Sequence, residues 1–154
     1  GYDRGHLAPA GDMKYNSTAM SESFYMSNMS PQSSSFNRGI WKRLESRVRK
    51  WVSQADSLYI VTGPKLNMKL NTIGPNEVSV PDYYYKVILK FNQSHSDAIA
   101  FLMPNKASKS DLTDYVIAID ALEQNLGIDF FHKLDDSLQT IIEKKSDHTK
   151  WLWR

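Results

Sequence analysis

Asp3-Arg4-Gly5-His6, together with the segment running from Asn28 to Glu45, decides how this chain is built. A histidine two residues after an arginine says little by itself. Here it is followed by an aromatic stretch that ends in Asn28, by Pro31-Gln32, and then by Asn37, Trp41 and Glu45 at the head of a basic helical pattern. Ile40, Trp41, Leu44, Val48, Trp51 and Val52 recur at helical spacing and form one apolar stripe. Arg38, Lys42, Glu45 and Arg49 fall together on a different face. The spacing therefore predicts a strand ending near His6 and a helix whose polar face folds back towards it.

Working outward, residues 2–8 suit a short strand entering a loop, and Pro9-Ala10-Gly11-Asp12 supplies turn chemistry. Residues 14–23 read as a surface loop with a helical turn over 17–22, and Phe24-Tyr25-Met26 as a brief apolar strand. Residues 57–62 predict a buried strand stopped by Gly63-Pro64, with a loop over 65–77. Residues 83–91 and 98–103 predict two further strands, the first carrying Lys86 and Lys90 among apolar neighbours. Residues 115–119 suit a short strand, with helix as the alternative. Asp120 is placed to cap a helix over 121–126 that Gly127 ends, and a last amphipathic helix is expected over about 135–145. Trp151 and Trp153 read as an exposed-looking end that packs either on the domain or on a second copy, between which the sequence does not choose. The sum is one α+β domain over residues 1–154, a mainly antiparallel sheet with flanking helices.

The totals agree with a globular domain. A chain of 154 residues buries roughly 70% of its extended surface on folding. At 41% hydrophobic and 23% charged, the composition is neither that of a disordered segment nor that of a disulfide scaffold. With zero cysteines, disulfides, thiolate metal sites and thiol catalysis are excluded. No run approaches the roughly 18 apolar residues that span a bilayer. The chain opens without methionine and almost on its most informative motif, which predicts a fragment or processed product whose export signal, if any, lay upstream. Within residues 36–52, six basic residues against Glu45 alone give +5, so the rest of a chain totalling +2 carries −3. A concentrated basic face is the footprint of a polyanion partner.

Those residues suggest a chemistry. His6, with a reference pKa near 6.5, is the natural group to take a proton from water at neutral pH. Asn37 offers a neutral carbonyl oxygen suited to Mg²⁺, which needs few protein ligands because it keeps most of its waters. Glu45, about two turns further along, is better placed to hold metal-bound water than to share a tight shell with Asn37. Arg4 and the basic helix can hold phosphate. Together these parts point to metal-assisted hydrolysis of a phosphodiester. Each also has a plainer reading. His6 could be a satisfied strand-end histidine, Asn37 a helix cap, and Glu45 a partner of Lys42 or Arg49 at helical spacing. Trp41 reads as core, and the basic face could be only solvated.

Residues 3–9, Ser27-Asn28, Pro31-Gln32 and the run from Asn37 through Trp41 to Glu45 resemble the DNA/RNA non-specific endonucleases, the family of endonuclease G and the secreted sugar-non-specific nucleases. Val61-Thr62-Gly63-Pro64, Val80-Pro81 with Tyr84 and Lys86, residues 101–105, Leu122-Glu123 and residues 127–131 look like its later landmarks, so the resemblance covers nearly the whole chain. It implies a ββα-metal (His-Me finger) core and cleavage of DNA and RNA without strong sequence preference, leaving 5′-phosphate ends. His6 matches the general base and Asn37 the Mg²⁺ ligand, with Mn²⁺ or another divalent cation able to substitute. Glu45 matches the glutamate that holds metal-bound water, Asn28 an asparagine beside the histidine and the scissile phosphate, and Arg4 the motif arginine. Arg38, Lys42 and Arg49 are the expected nucleic-acid contacts, with Asp3 and Gln32 in support. A homodimer and a protein inhibitor are the further partners to test for. The expected location is secreted or periplasmic for a bacterial chain and mitochondrial for a eukaryotic one. The family usually has several dozen residues before this motif. A silent nucleic-acid-binding fragment and a phosphodiesterase of small nucleotides are therefore the competing readings.

Overall fold

The computed structural model describes residues 1–66, 70–92, 95–144 and 148–151. In chain order the elements are β1 (Asp3–His6), α1 (Ser17–Glu22), β2 (Met29–Gln32), α2 (Ser34–Phe36), α3 (Lys42–Trp51), β3 (Ser57–Lys65), β4 (Asn71–Ile73), β5 (Val78–Val80), β6 (Tyr83–Phe91), β7 (Asp97–Pro104), β8 (Val116–Ile117), α4 (Ile119–Leu126) and α5 (Asp136–Glu143). The class is α+β. β1 pairs antiparallel with β2, β4 with β5 and β7 with β8, and a four-stranded sheet is ordered β3-β6-β7-β8. The chain gathers into two compact units, residues 1–49, 62–84 and 104–109 in the first and 50–61, 85–103 and 110–154 in the second.

In the first unit, β1 and β2 are held in a register that sets Asp3 opposite Gln32 and His6 opposite Met29. Gly5 is required in that pairing. A Cβ there would overlap the side chain of Gln32, which is completely buried. Ser33 caps α2 by accepting the Phe36 N–H at 3.3 Å. Residues 37–41 then coil more widely than an α-helix and leave helical geometry at Gly39 (φ −100°, ψ −112°) before α3 begins. The sequence pattern ran one helix through this point, because glycine lowers helix propensity without revealing where the axis bends. The apolar stripe is buried from Ile40 to Trp51 as expected, but Val52, expected to continue it, is 57% exposed in the 3₁₀ turn (Val52–Gln54) that follows α3, where the helical period ends. Phe36, Ile40, Trp41, Leu44 and Val48 are all at most 4% exposed, each stabilising by about 1.5–3 kcal/mol relative to exposure. The rings of Phe36, Trp41 and Tyr84 lie 5.2–5.9 Å apart. Tyr84 donates its hydroxyl to the Pro31 carbonyl at 2.9 Å and accepts from Ser30 at 2.7 Å, with burial pushing its pKa up to about 12. Asn105 accepts the Ser33 N–H at 2.8 Å and donates to the carbonyls of Pro31 and Pro81. Those bonds fasten β2 where α2 starts.

Three expectations in this unit are corrected. Phe24-Tyr25-Met26 forms a turn entering a short 3₁₀ segment (Met26–Asn28), with side chains 57–68% exposed. Three apolar residues without alternation carry no strand period. The strand at Gly63-Pro64 does not stop there but runs on to Lys65; β3 lies at a sheet edge, where a missing N–H is tolerated. The expected loop over 65–77 contains β4 and leads into β5, a hairpin closed by Gly74 at φ +72°.

In the second unit, Tyr85, Val87 and Leu89 of β6 alternate into a core with Ala98, Ala100, Ile119, Leu122, Phe130 and Ile142. Trp51 stacks with Phe101 and meets Trp151 edge-on at 4.7 Å, and the Lys90 ammonium sits 4.6 Å from the Trp151 ring. Trp151 is 1% exposed, which realises the packing on the domain that the sequence left as one alternative; Trp153, and Lys145 of the expected last helix, lie outside the described residues. The strand expected as buried over residues 57–62 leaves Tyr59, Ile60 and Val61 36–55% exposed, since an edge strand covers little of its own surface. Asp120 lies in the first turn of α4 and the cap position is Ala118, while Gly127 ends the helix in the left-handed region at φ +67°. α5 is capped by Asp135, which accepts the Ser137 N–H at 2.9 Å.

Candidate active site

An open cleft of about 340 Å³ in the first unit is lined by His6, Pro9, Ala10, Gly11, Asn37, Arg38, Lys42, Glu45 and Arg49. His6 comes from the end of β1, Asn37 and Arg38 from the widened turn after α2, and Lys42, Glu45 and Arg49 from one face of α3. The helical spacing that placed these last residues on one face is thus realised.

Asp3 ties together two of the residues that line this cleft, Asn37 and Arg38. Its carboxylate accepts Nε and Nη2 of Arg38, each at 2.9 Å, Nδ2 of Asn37 at 2.9 Å and the Ser34 hydroxyl at 2.8 Å. The hydrogen bond from Arg38, then those from Asn37 and Ser34, hold its pKa down to about 2. With the Asn37 nitrogen committed to Asp3, the amide's carbonyl oxygen Oδ1 is the atom left for a cation. The plainer role for Asn37, a cap on the helix, is taken by Ser33. Arg38 uses two of its five N–H groups on Asp3, and its side chain is 75% exposed, so the remainder can meet an anion.

Burial pushes the His6 imidazole below its usual pKa, which keeps the ring neutral at neutral pH. Nε2 is enclosed without a hydrogen-bond partner among the described residues, which leaves Nδ1 as the nitrogen reachable from the cleft. Phe24 meets the ring edge-on at 4.6 Å. Asn28 is not among the lining residues. Its Oδ1 accepts the Ala8 N–H at 2.9 Å, its Nδ2 donates to the carbonyls of Ala8 and Ser23 at 2.8 Å, and its carbonyl accepts the Leu7 N–H at 3.0 Å. Both amide hydrogens are committed, so Asn28 fixes the chain leaving His6. Arg4 is exposed and shares a strand face with His6 but does not line the cleft. Glu45 is half-buried on the cleft wall. Gln32 packs against Gly5 outside it.

The sequence pattern overlooked two contributors. Asp12 binds Arg49 Nη1 at 2.7 Å, and a Cβ on Gly11 would come within 3.2 Å of the same nitrogen, so the turn before α1 steers a basic side chain of α3. Phe24 carries the ring against His6. Neither contact has a signal in local spacing.

Residues 1–137 match the family model described as DNA/RNA non-specific endonuclease. The chain is 37% identical to the mitochondrial nuclease EXOG of Mus musculus over 89% of its own length and 42% of that protein's. It is 36% identical to the mitochondrial nuclease of Saccharomyces cerevisiae over 94% of its length and 50% of that protein's. Among solved structures it resembles one titled as the EndoG/EndoGI complex and the mechanism of EndoG inhibition, with a TM-score of 0.82, 34% identity and coverage of 88% of this chain and 61% of that one. The chain thus spans about half the length of the relatives it matches.

Proposed function

The chain belongs to the DNA/RNA non-specific endonuclease family, and from that premise we propose that it carries the hydrolytic site of a divalent-cation-dependent nuclease acting on DNA and RNA. The observation that carries this reading is the meeting of His6, Asn37, Glu45 and three basic side chains around one cleft.

Asn37 Oδ1, fixed by the Asp3 bond, is the hard oxygen that would hold the ion directly, with the Glu45 carboxylate holding it through bound water, and Mg²⁺ suits so sparse a donor set. When bound, such an ion neutralises phosphate charge and stabilises the departing oxygen. His6, neutral because it is desolvated, takes a proton from water at Nδ1 as the water oxygen attacks phosphorus. The bond from phosphorus to the 3′-oxygen breaks, leaving a 5′-phosphate on the other fragment. Arg38, Lys42 and Arg49 hold the phosphates flanking the attacked one. Such contacts carry no base information, which accords with weak sequence preference. Arg4, exposed beside His6 on the strand, adds to that field. Asn28 acts as a positioning residue.

A mitochondrial location suits this chain if it is eukaryotic, as several relatives are named mitochondrial. An inhibitor protein is a reasonable partner, since the structural relative is titled for its inhibition.

The test is incubation of the chain with supercoiled plasmid, with RNA and with small phosphodiesters, in Mg²⁺ and in EDTA. Cation-dependent cleavage of both polymers supports the proposal. Cleavage of small phosphodiesters alone, or binding of polymer without cleavage, contradicts it.

A further inference from the structure

The second unit holds three carboxylates that no part of the proposed hydrolysis uses. Asp120 and Glu123 stand three residues apart on α4 and so share a face. Glu143 is the last residue of α5. One carboxylate oxygen from each lies within 4.8 Å of the other two. Oxygens around a bound Ca²⁺ lie up to twice the metal–oxygen distance apart, roughly 4.6–5.2 Å, and Ca²⁺ accepts several carboxylates where Mg²⁺ keeps most of its waters. The spacing is therefore within what a single Ca²⁺ can bridge.

A cluster of acids on a surface would mean little, but Glu143 is not on the surface. It is 5% exposed, and its Oε1 has no hydrogen-bond partner among the described residues. A buried carboxylate is normally paired or coordinated. Among the described residues no Lys, Arg or His is paired with any of the three. Burial, then the charges of Glu123, Asp120 and Asp129, push Glu143 up to about 7. The C-terminal end of α5 adds the negative pole of a helix, where a cation is favoured. Glu123 is aimed by its other surroundings, accepting the Phe130 N–H at 2.7 Å across the turn that Gly127 makes. Leu122 and Ile142, next to these ligands in sequence, are buried in the same core and hold the two helices in place.

We propose that Asp120, Glu123 and Glu143 form a Ca²⁺ site that fastens α4 to α5, separate from the hydrolytic cleft and structural in role. The bound charge relieves the repulsion that these carboxylates otherwise build up.

The test uses the full chain carrying Asn37→Ala, which removes the proposed ligand of the cleft, stripped with EDTA and then titrated with Ca²⁺ or Mg²⁺ by calorimetry and thermal melting. One Ca²⁺ should bind per chain and raise Tm by about 5–10 °C at a hundredfold excess over Kd, with a smaller response to Mg²⁺ at equal concentration. Glu143→Gln on this background should abolish both effects, yet melt in EDTA no lower than its parent, because a repelling charge has gone. Glu123→Gln, whose amide oxygen can still accept the Phe130 N–H, should likewise abolish binding. Absence of Ca²⁺ binding, or binding that survives both substitutions, overturns the proposal. So do variants that melt lower than the parent in EDTA without any Ca²⁺ response, the result expected if the carboxylates merely share a proton. An equal response to Mg²⁺ overturns the assignment to Ca²⁺. None of these readouts involves cleavage, so their failure leaves the nuclease proposal standing.

Discussion

The cleft of the first unit and the carboxylate cluster of the second both offer hard oxygen ligands, but in opposite electrostatic settings. In the cleft, Asp3 is satisfied by Arg38, Asn37 and Ser34, and the oxygen left for a cation belongs to a neutral amide amid basic side chains. A cation held so keeps most of its charge for a substrate phosphate. In the cluster, three carboxylates converge and one is buried, so a cation there would be largely neutralised by the protein. The difference separates an ion that acts on a substrate from one that holds helices together. It also explains why charge count alone is a poor guide: the acid-rich place is the one less suited to catalysis.

The largest break in that comparison should come from His6→Ala. Loss of the base is expected to lower cleavage by about 10²–10⁴-fold while DNA binding, measured by fluorescence anisotropy, is retained. A variant that cleaves at the wild-type rate would remove His6 from the mechanism.

Asp3→Asn should cost about 10–100-fold, the range for a group that orients a ligand, because it loosens both Asn37 and Arg38. The same variant tests linkage. Asp3 titrates at about 2 when folded, against an ordinary 3.8, so the stability it contributes is full above its unfolded value and is lost as pH falls through its folded one. Acid-melting curves of Asp3→Asn and the parent should converge towards pH 2. Curves that stay parallel would deny the carboxylate that role.

A smaller effect is expected in the pH profile of kcat/KM. A base at His6, as proposed, works as neutral imidazole, so the rate should rise with pH. Burial lowers its pKa, so the midpoint should fall below the ordinary value of about 6.5. A midpoint above that value would contradict the desolvated setting.

The smallest change belongs to the rim. Lys42→Ala should weaken DNA binding evenly across sequences and reduce the salt dependence by about one counterion, with little change in the rate at saturating substrate.

Much of this was legible beforehand because the relevant information is periodic or local. Helical spacing put Lys42, Glu45 and Arg49 on one face, apolar spacing buried Ile40, Trp41, Leu44 and Val48, and Gly127 ended α4 where a left-handed residue was needed. The motif stretch located His6 and Asn37. What stayed hidden depends on partners far along the chain. Nothing near Asn28 says that both its amide hydrogens go to backbone carbonyls, nothing near Asp12 points to Arg49, and Trp151 has no neighbour in sequence that predicts its burial against Trp51. Phe24 was misread for the opposite reason: its composition suited a strand, while its place is a turn beside His6.

The most direct test of the nuclease account is the Mg²⁺ dependence of plasmid nicking by the parent chain and by Asn37→Ala, with Asn37→Ala confirmed as folded by circular dichroism. The parent should nick only with the cation, and Asn37→Ala should lose about 10²-fold or more at Mg²⁺ levels that saturate the parent. Nicking by Asn37→Ala at the parent's rate and the parent's Mg²⁺ dependence would contradict the assignment of the amide oxygen as the ligand on which the cleft is built.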